Sequence, residues 1–156
     1  MRTEQGFTLV ELMIVVSVIG IVAAIAMPQL LRNRISGNEA AAVGALRTIV
    51  SSEIQFQSAG FVDLDADTLY DYGTLAELLN PPGGSAPYID EVLATGQKQG
   101  YTFTLTVGDE AYQVVARPLD QGRTGVRRFF MDESGVIRFT TDGSDPTVAS
   151  PPLNQS

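Results

Sequence analysis

The chain has 156 residues, with 18 acidic and 10 basic side chains and a formal charge of −8. This length favours one compact domain in addition to any terminal segment, and the negative charge disfavours binding to nucleic acid. Cysteine and histidine are both absent, which excludes disulfides, thiolate nucleophiles, the Ser-His-Asp arrangement and the commonest zinc ligand. An enzyme could still use paired carboxylates or a tyrosine, but the missing groups favour a non-enzymatic role, and no cofactor is expected.

A long apolar segment follows a short polar start. Residues 7–31 read FTLVELMIVVSVIGIVAAIAMPQLL and contain a single charge, Glu11. Because a helix needs about 20 apolar residues to cross a bilayer, the segment predicts a membrane-spanning helix. Gly20 and Pro28 interrupt it, either as tolerated kinks or as the limits of a stretch that loses helicity when its surroundings change.

Glu11 is the unusual residue of this segment. An ionised carboxylate in hydrocarbon costs about 2.5–3.5 kcal/mol, so we expect a partner for its charge. The alternative is a charge near the helix terminus that reaches the aqueous interface and is stabilised by the helix dipole.

Two processing sites compete in this region. The small-x-small sequence Ala24-Ile25-Ala26 would suit a secretory signal, and cleavage there would release a soluble secreted binding domain that starts at Met27. A cut between Gly6 and Phe7 would instead leave the apolar helix on the mature protein. Glu11 inside the apolar core disfavours the secretory alternative.

The sequence GFTLVEL at residues 6–12 resembles the cleavage and methylation signature of bacterial type IV pilins and type II secretion pseudopilins. That signature combines a short polar leader, a glycine, a phenylalanine, and a glutamate at the fifth position of the mature chain. The later sequences NEAAAVGALRTI and FFMDESGVIRF are also similar to pilin-type proteins. The resemblance implies that residues 1–6 are a leader, and that a prepilin peptidase cuts after Gly6 and methylates the new terminus at Phe7.

The same resemblance implies a set of partners and locations. Glu11 would pair with the amine that cleavage creates at Phe7 of a neighbouring subunit, because two buried charges compensate each other when paired. Gly20 and Pro28 would flank a stretch that melts on assembly. The expected partners are other copies and related pilins in a helical filament, the prepilin peptidase, an inner-membrane assembly platform and, before assembly, membrane lipid. The expected locations are the inner membrane first, and then an extracellular pilus or a periplasmic pseudopilus.

Two absences bear on the choice within this group. The chain has no tryptophan and lacks the aspartate-rich calcium loop of major pseudopilins, which favours a pilin over a secretion pseudopilin. Many major pilins close a C-terminal loop with a disulfide. Because this chain has no cysteine, its head must be held together by other contacts.

The helix is predicted to continue to about residue 58. Apolar residues recur at helical steps on one face, which predicts packing against a sheet; they are Ile35, Ala42, Leu46, Ile49, Val50 and Phe56. The charged side chains are expected mostly on other faces; they are Arg34, Glu39, Arg47 and Glu53. Gly37 and Gly44 are expected to be points of close packing or bending.

Residues 59–100 are predicted to form a polar, proline-punctuated connection between the helix and a sheet. Thr74-Leu75-Ala76-Glu77 has the pattern of a capping box that opens a short helix, and Asn80-Pro81-Pro82 would end that helix. Residues 90–95 predict another short helical turn.

The acidic sequence DLDADTLYD at residues 63–71 is a weak metal candidate. Its opening is similar to a calcium loop with Asp63, Asp65 and Asp67 as ligands, but Thr68 and Thr74 stand where a glycine and a bidentate glutamate are needed. A solvated acidic loop is therefore favoured. A carboxylate-based hydrolase that uses this cluster is a further alternative.

Four predicted strands complete the chain, and they form an antiparallel meander over residues 101–141. Residues 101–107 alternate between large apolar residues and threonine, and a turn at Gly108-Asp109 leads into the second strand at residues 111–117. Residues 128–132 and 136–141 form a second hairpin around Ser134-Gly135. Asp142 and Asp145 form a second weak calcium candidate. The prediction is an α+β fold, in which a long helix packs on the sheet of a head at residues 59–156.

Overall fold

The computed structural model describes residues 6–62, 70–108 and 111–153. The chain divides into two units, one that ends at Arg34 and one that begins at Ile35. Helix α1, Leu9–Ala59, contributes to both units. The fold class is α+β, as predicted.

The first unit contains the apolar part of α1. Within this helix, the most apolar window of 18 residues has a mean hydropathy of 2.7, and none of it is buried. The helix is therefore long and apolar enough to cross a membrane. A helix that is apolar on every side belongs in lipid or inside a bundle of other helices, because water would otherwise contact its whole surface.

In the part of the second unit that the structure describes, the strands form one antiparallel sheet and follow chain order. The strands are β1 (Gln97–Lys98), β2 (Tyr101–Val107), β3 (Tyr112–Pro118), β4 (Arg128–Asp132) and β5 (Arg138–Thr140). The predicted bounds of β2 and β4 are confirmed. β1 was not predicted, because two residues are too few to show an alternating pattern. β5 is shorter than the predicted span 136–141, because the chain between β4 and β5 has no strand structure up to Ile137.

The C-terminal half of α1 packs on one face of this sheet. Leu46, Ile49 and Phe56 of the predicted apolar stripe are fully buried. They share a core with sheet side chains that alternate along each strand and point to the helix, namely Tyr101, Phe103, Val114, Ala116, Phe129 and Met131. Burying one such side chain contributes about 1.5–3 kcal/mol, so this interface is the main source of stability for the second unit.

Two details of the predicted helix face are wrong. Glu39 and Glu53 are buried on the same face as the apolar stripe. Their positions follow the spacing 39, 42, 46, 49, 53 and 56, which keeps one face of a helix throughout. Gly37 and Gly44 are not points of close packing within the subunit, since an added Cβ would meet nothing within 4 Å at either residue.

Within its described residues, the connection from α1 to the sheet contains two short helices. Helix α2, Leu75–Leu79, begins with the predicted capping box between Thr74 and Glu77. A 3-10 turn follows at Pro82–Gly84. Helix α3, Glu91–Ala94, begins where the Asp90 carboxylate accepts a hydrogen bond from the Leu93 amide.

The C-terminal segment lies against the sheet and is held there without a disulfide. Arg117 on β3 and Arg128 on β4 both donate hydrogen bonds to Asp145, at 2.7 and 3.0 Å. Arg138 on β5 donates to the Ser150 carbonyl, and the Leu153 amide donates to the Ile137 carbonyl. Asp145 is thus the central contact of an ionic clasp with Arg117 and Arg128.

Candidate processing and assembly site

The candidate site lies at the beginning of α1. Gly6 and Phe7 precede the helix and are exposed, and 86% of the Phe7 surface is accessible. An added Cβ at Gly6 would meet nothing within 4 Å. The peptide bond between these two residues is therefore sterically open to an external enzyme.

Glu11 bonds to the first residues of its own helix. Its Oε2 accepts hydrogen bonds from the Thr8 amide and the Thr8 hydroxyl, both at 2.8 Å. The Thr8 hydroxyl in turn accepts a bond from the Glu11 amide at 3.2 Å. This reciprocal pattern is a capping box, which satisfies backbone amides that the first turn of a helix leaves without partners.

The capping box leaves part of Glu11 available. Both bonds from Thr8 end on Oε2, and within the described residues Oε1 accepts no hydrogen bond. The surrounding side chains, Val10, Leu12 and Val15, are apolar and more than half exposed. A carboxylate with one free oxygen therefore stands on an apolar surface beside the positive end of the helix dipole.

The role of Thr8 was not predicted from the sequence. The signal was present, because Thr8-Leu9-Val10-Glu11 has the same T-x-x-E pattern that identified Thr74 and Glu77. At Thr74 the pattern follows a polar loop and indicates a helix start. At Thr8 it lies inside an apolar run, which indicates membrane insertion more strongly than it indicates a cap.

Gly20 and Pro28 lie inside the continuous helix α1. Pro28 has no amide hydrogen, so the carbonyl of Ala24 lacks its donor in the helical ladder. An added Cβ at Gly20 would meet nothing within 4 Å. The structure places both residues in a helical state, and melting between them stays a prediction.

The acidic candidates that lie among the described residues are not brought together as a metal site. Asp63, Asp65 and Asp67 lie outside the described residues, and Asp71 is buried. Asp145 is paired with two arginines, and Asp142 accepts hydrogen bonds from Ser144. Across residues 6–62, 70–108 and 111–153, no group of three or more acidic side chains is placed to hold a metal ion.

In the second half of α1, Glu39 is buried and bonds to a loop of the head. Glu39 accepts hydrogen bonds from the Val126 and Arg127 amides at 2.9 and 3.0 Å, and from the Arg127 guanidinium at 2.7 Å. Burial acts to raise the pKa of Glu39, but these hydrogen bonds and the positive charge of Arg127 together outweigh it and lower the pKa. Glu39 thereby fixes the loop between β3 and β4 to the helix.

Comparisons with known proteins agree with this arrangement. Residues 1–27 match the model of the prokaryotic N-terminal methylation motif. The chain is 38% identical over 107 residues to a fimbrial protein of Pseudomonas aeruginosa, an alignment that covers 64% of this chain and 65% of that protein. A second fimbrial protein of the same species is 41% identical over 92 residues, covering 54% and 58% of the two chains. The type IV major pilin protein PilA of Myxococcus xanthus is 29% identical over 170 aligned positions, covering 96% and 69%.

The motif and the fold define the class first. This is a protein with a prokaryotic N-terminal methylation motif on a long apolar helix, followed by an α+β head. Together with the relatives, these features make the chain similar to type IV pilins. The chain spans less than two thirds of the length of the two Pseudomonas proteins, and no solved structure matches it significantly.

Proposed function

We propose that this protein is a non-enzymatic structural subunit of a type IV pilus-like filament. The precursor is cut between Gly6 and Phe7 by a prepilin peptidase, and the new amine of Phe7 is methylated. The apolar half of α1 holds the protein in the inner membrane until an assembly platform moves it into an extracellular helical filament. The relatives are fimbrial proteins and a type IV major pilin, which favours a pilus over a secretion pseudopilus.

One observation carries this proposal: the apolar half of α1, whose most apolar window has no buried residue, starts with a capping box between Thr8 and Glu11 inside a methylation motif. A fully apolar surface requires lipid or other apolar helices around it. In a bundle of such helices an isolated carboxylate would be costly, as would an isolated amine. A filament that places the Phe7 amine of one subunit against Glu11 of the next compensates both charges.

The capping box gives this pairing a definite geometry. Because Thr8 bonds only to Oε2, the free Oε1 of Glu11 can accept the amine of a neighbour without loss of the cap. Cleavage after Gly6 keeps the Thr8 amide, since the peptide bond between Phe7 and Thr8 is retained. The same carboxylate thus holds the first turn of its own helix and sets the axial register of the next subunit.

The first experiment determines the N-terminus. Mass spectrometry of the protein from sheared fibres should show a chain that starts at N-methylated Phe7. A start at Met27, with the protein free in the medium, would contradict the proposal and support the secreted binding domain.

The second experiment separates the two roles of Glu11. In Glu11→Gln the amide oxygen can keep the cap but the charge is lost, whereas Thr8→Val removes the hydroxyl and keeps the charge. We expect Glu11→Gln to remain in the membrane fraction while fibre yield falls at least about tenfold, as expected for an uncompensated buried amine. Thr8→Val should reduce the yield less, and Glu91→Gln, an exposed acid of the head, should not reduce it. Normal fibres from Glu11→Gln would show that charge pairing is not required.

A further inference from the structure

Glu53 is a fully buried carboxyl group in the second half of α1. Its Oε2 accepts one hydrogen bond, from the Gly73 amide at 2.9 Å. Its Oε1 is also buried, and within the described residues it has no hydrogen-bond partner. A buried carboxylate normally needs several donors or a cation, so Glu53 has much less support than Glu39 on the same helix.

The ionisable groups around Glu53 do not favour its negative charge. Glu77 of α2 carries a like charge, which raises the pKa of Glu53. The Tyr112 hydroxyl on β3, whose pKa the charge of Glu53 raises, is buried and has no hydrogen-bond partner among the described residues. Tyr72 packs on Tyr112 with ring centroids 4.6 Å apart, and buried Asp71 lies two residues before Gly73. Within the described residues, no lysine or arginine forms an ion pair with Glu53. Burial is the largest influence and, with Glu77, raises the pKa of Glu53 to about 7 against the effect of the Gly73 amide.

The partner of Glu53 reaches it only because it is a glycine. An added Cβ at Gly73 would lie 2.9 Å from Cε1 of Phe56, a fully buried ring of the same helix. Gly73 immediately precedes Thr74, the residue that caps α2. The Asp71 amide donates to the Val62 carbonyl. Residues 71–74, at the end of this part of the connection, thus contact α1, and we call this segment the seat.

We propose that Glu53 is a proton-controlled latch, whose neutral carboxyl group holds the seat of residues 71–74 on α1 and whose ionisation loosens that seat and the beginning of α2. The driving force is the cost of a buried negative charge that has one amide donor and an acidic neighbour. A neutral carboxyl group accepts the same amide bond at much lower cost.

The direction of the pH dependence follows from the raised pKa. The folded state retains the proton of Glu53 up to about pH 7, whereas the unfolded state loses it near the ordinary value of 4.5. The stabilisation is therefore fully present below pH 4.5 and is lost as the pH rises to about 7. A change of pH across the neutral range therefore alters the head where residues 71–74 contact α1.

The test uses the full chain in detergent micelles. The pKa of Glu53 is measured by NMR from the chemical shift of its 13C-labelled side-chain carboxyl group, and the exchange of the Gly73 amide hydrogen is measured at about pH 5.5 and about pH 8. After correction for intrinsic exchange, we expect Gly73 to be protected at least about tenfold less at the higher pH, because one pKa unit corresponds to a factor of ten. The Gly73 amide shift should follow the same midpoint as the Glu53 carboxyl group.

Two variants make the test specific. Glu53→Gln cannot ionise and should remove the pH dependence of Gly73 exchange, whereas the control Glu91→Gln should retain it. If Glu53→Gln does not fold, the two wild-type titrations still decide the question. Gly73 protection that is equal at both pH values, a Glu53 midpoint near the ordinary value of 4.5, or an unchanged pH dependence in a folded Glu53→Gln variant would each overturn the latch.

Discussion

The two halves of α1 place the same secondary structure in two different environments. In the first half, apolar side chains cover every side and none of the most apolar window is buried. In the second half, the apolar residues form one stripe, and that stripe is buried against the sheet. The apolar stripe of the second half is therefore buried within the subunit, whereas the apolar surface of the first half needs lipid or other apolar helices around it.

The glutamates of the helix show the same contrast. Glu11 is exposed and capped by Thr8, with one oxygen left over. Glu39 is buried and bonded to Arg127. Glu53 is buried, and among the described residues only the Gly73 amide donates to it. The free-energy cost of carrying a negative charge therefore differs among these three glutamates, because their hydrogen-bond partners differ. The partner of Glu11 lies at the helix start, that of Glu39 in the loop between β3 and β4, and that of Glu53 in the connection.

The largest difference between the halves should appear on truncation of an apolar side chain. Leu46→Ala should lower the free energy of unfolding of the head by roughly 2–5 kcal/mol, because Leu46 is fully buried and its removal leaves a cavity. Ile19→Ala should change it by less than about 0.5 kcal/mol, because Ile19 is 60% exposed. Thermal unfolding of the full chain in micelles, followed by circular dichroism, measures both; equal losses would contradict the division into two units.

Glu39→Gln tests the ionic support of the second half. The variant should cost about 1.5–3 kcal/mol, the range for hydrogen bonds to charged groups, and the partial exposure of Arg127 favours the lower part of that range. Because the pKa of Glu39 is lowered in the folded state, its stabilisation is present above the ordinary value of 4.5 and is lost as the pH falls below it. The variant should therefore differ most from the wild type near neutral pH and least in acid. A difference that grows in acid would contradict this account.

Thr74→Ala tests the cap that joins the connection to α2. Loss of the Thr74 hydroxyl, which accepts from the Glu77 amide, should cost about 1 kcal/mol. The matched control is Thr48→Ala, since Thr48 is exposed in the middle of α1 and its hydroxyl donates to the Gly44 carbonyl of the same helix. Denaturant unfolding of both variants checks the prediction, and a cost for Thr48→Ala as large as for Thr74→Ala would remove the specific role of the cap.

The smallest effect is expected from the ionic clasp at the C-terminal segment. Asp145→Asn weakens two pairs whose side chains are 25–44% exposed, so each pair contributes about 0.2–1 kcal/mol. The loss should be measurable at low salt and should nearly vanish in about 1 M salt, where charges are screened within about 3 Å. Equal losses at both salt concentrations would show that Asp145 acts through packing and not through charge.

Local patterns in the sequence were enough to predict several elements. The T-x-x-E pattern predicted the start of α2, and alternation along Tyr101–Val107 predicted β2, because both depend on residues a few positions apart. The apolar segment and the motif GFTLVEL likewise carry the resemblance to type IV pilins, since each is a continuous stretch of the chain. Such signals can be read from the sequence because their physical cause is local.

The tertiary structure alone decided which partners the charged residues of the helix find. Helical spacing could have placed Glu39 and Glu53 on the buried face, but not shown that Arg127, 88 residues away, would bond to Glu39. Nor could it show that the Gly73 amide would donate to Glu53. The energy of a buried charge depends on groups that chain folding brings from distant positions. Local sequence patterns therefore indicate most of the elements and the likeness to type IV pilins, while folding determined which carboxyl groups are paired and which are left to titrate.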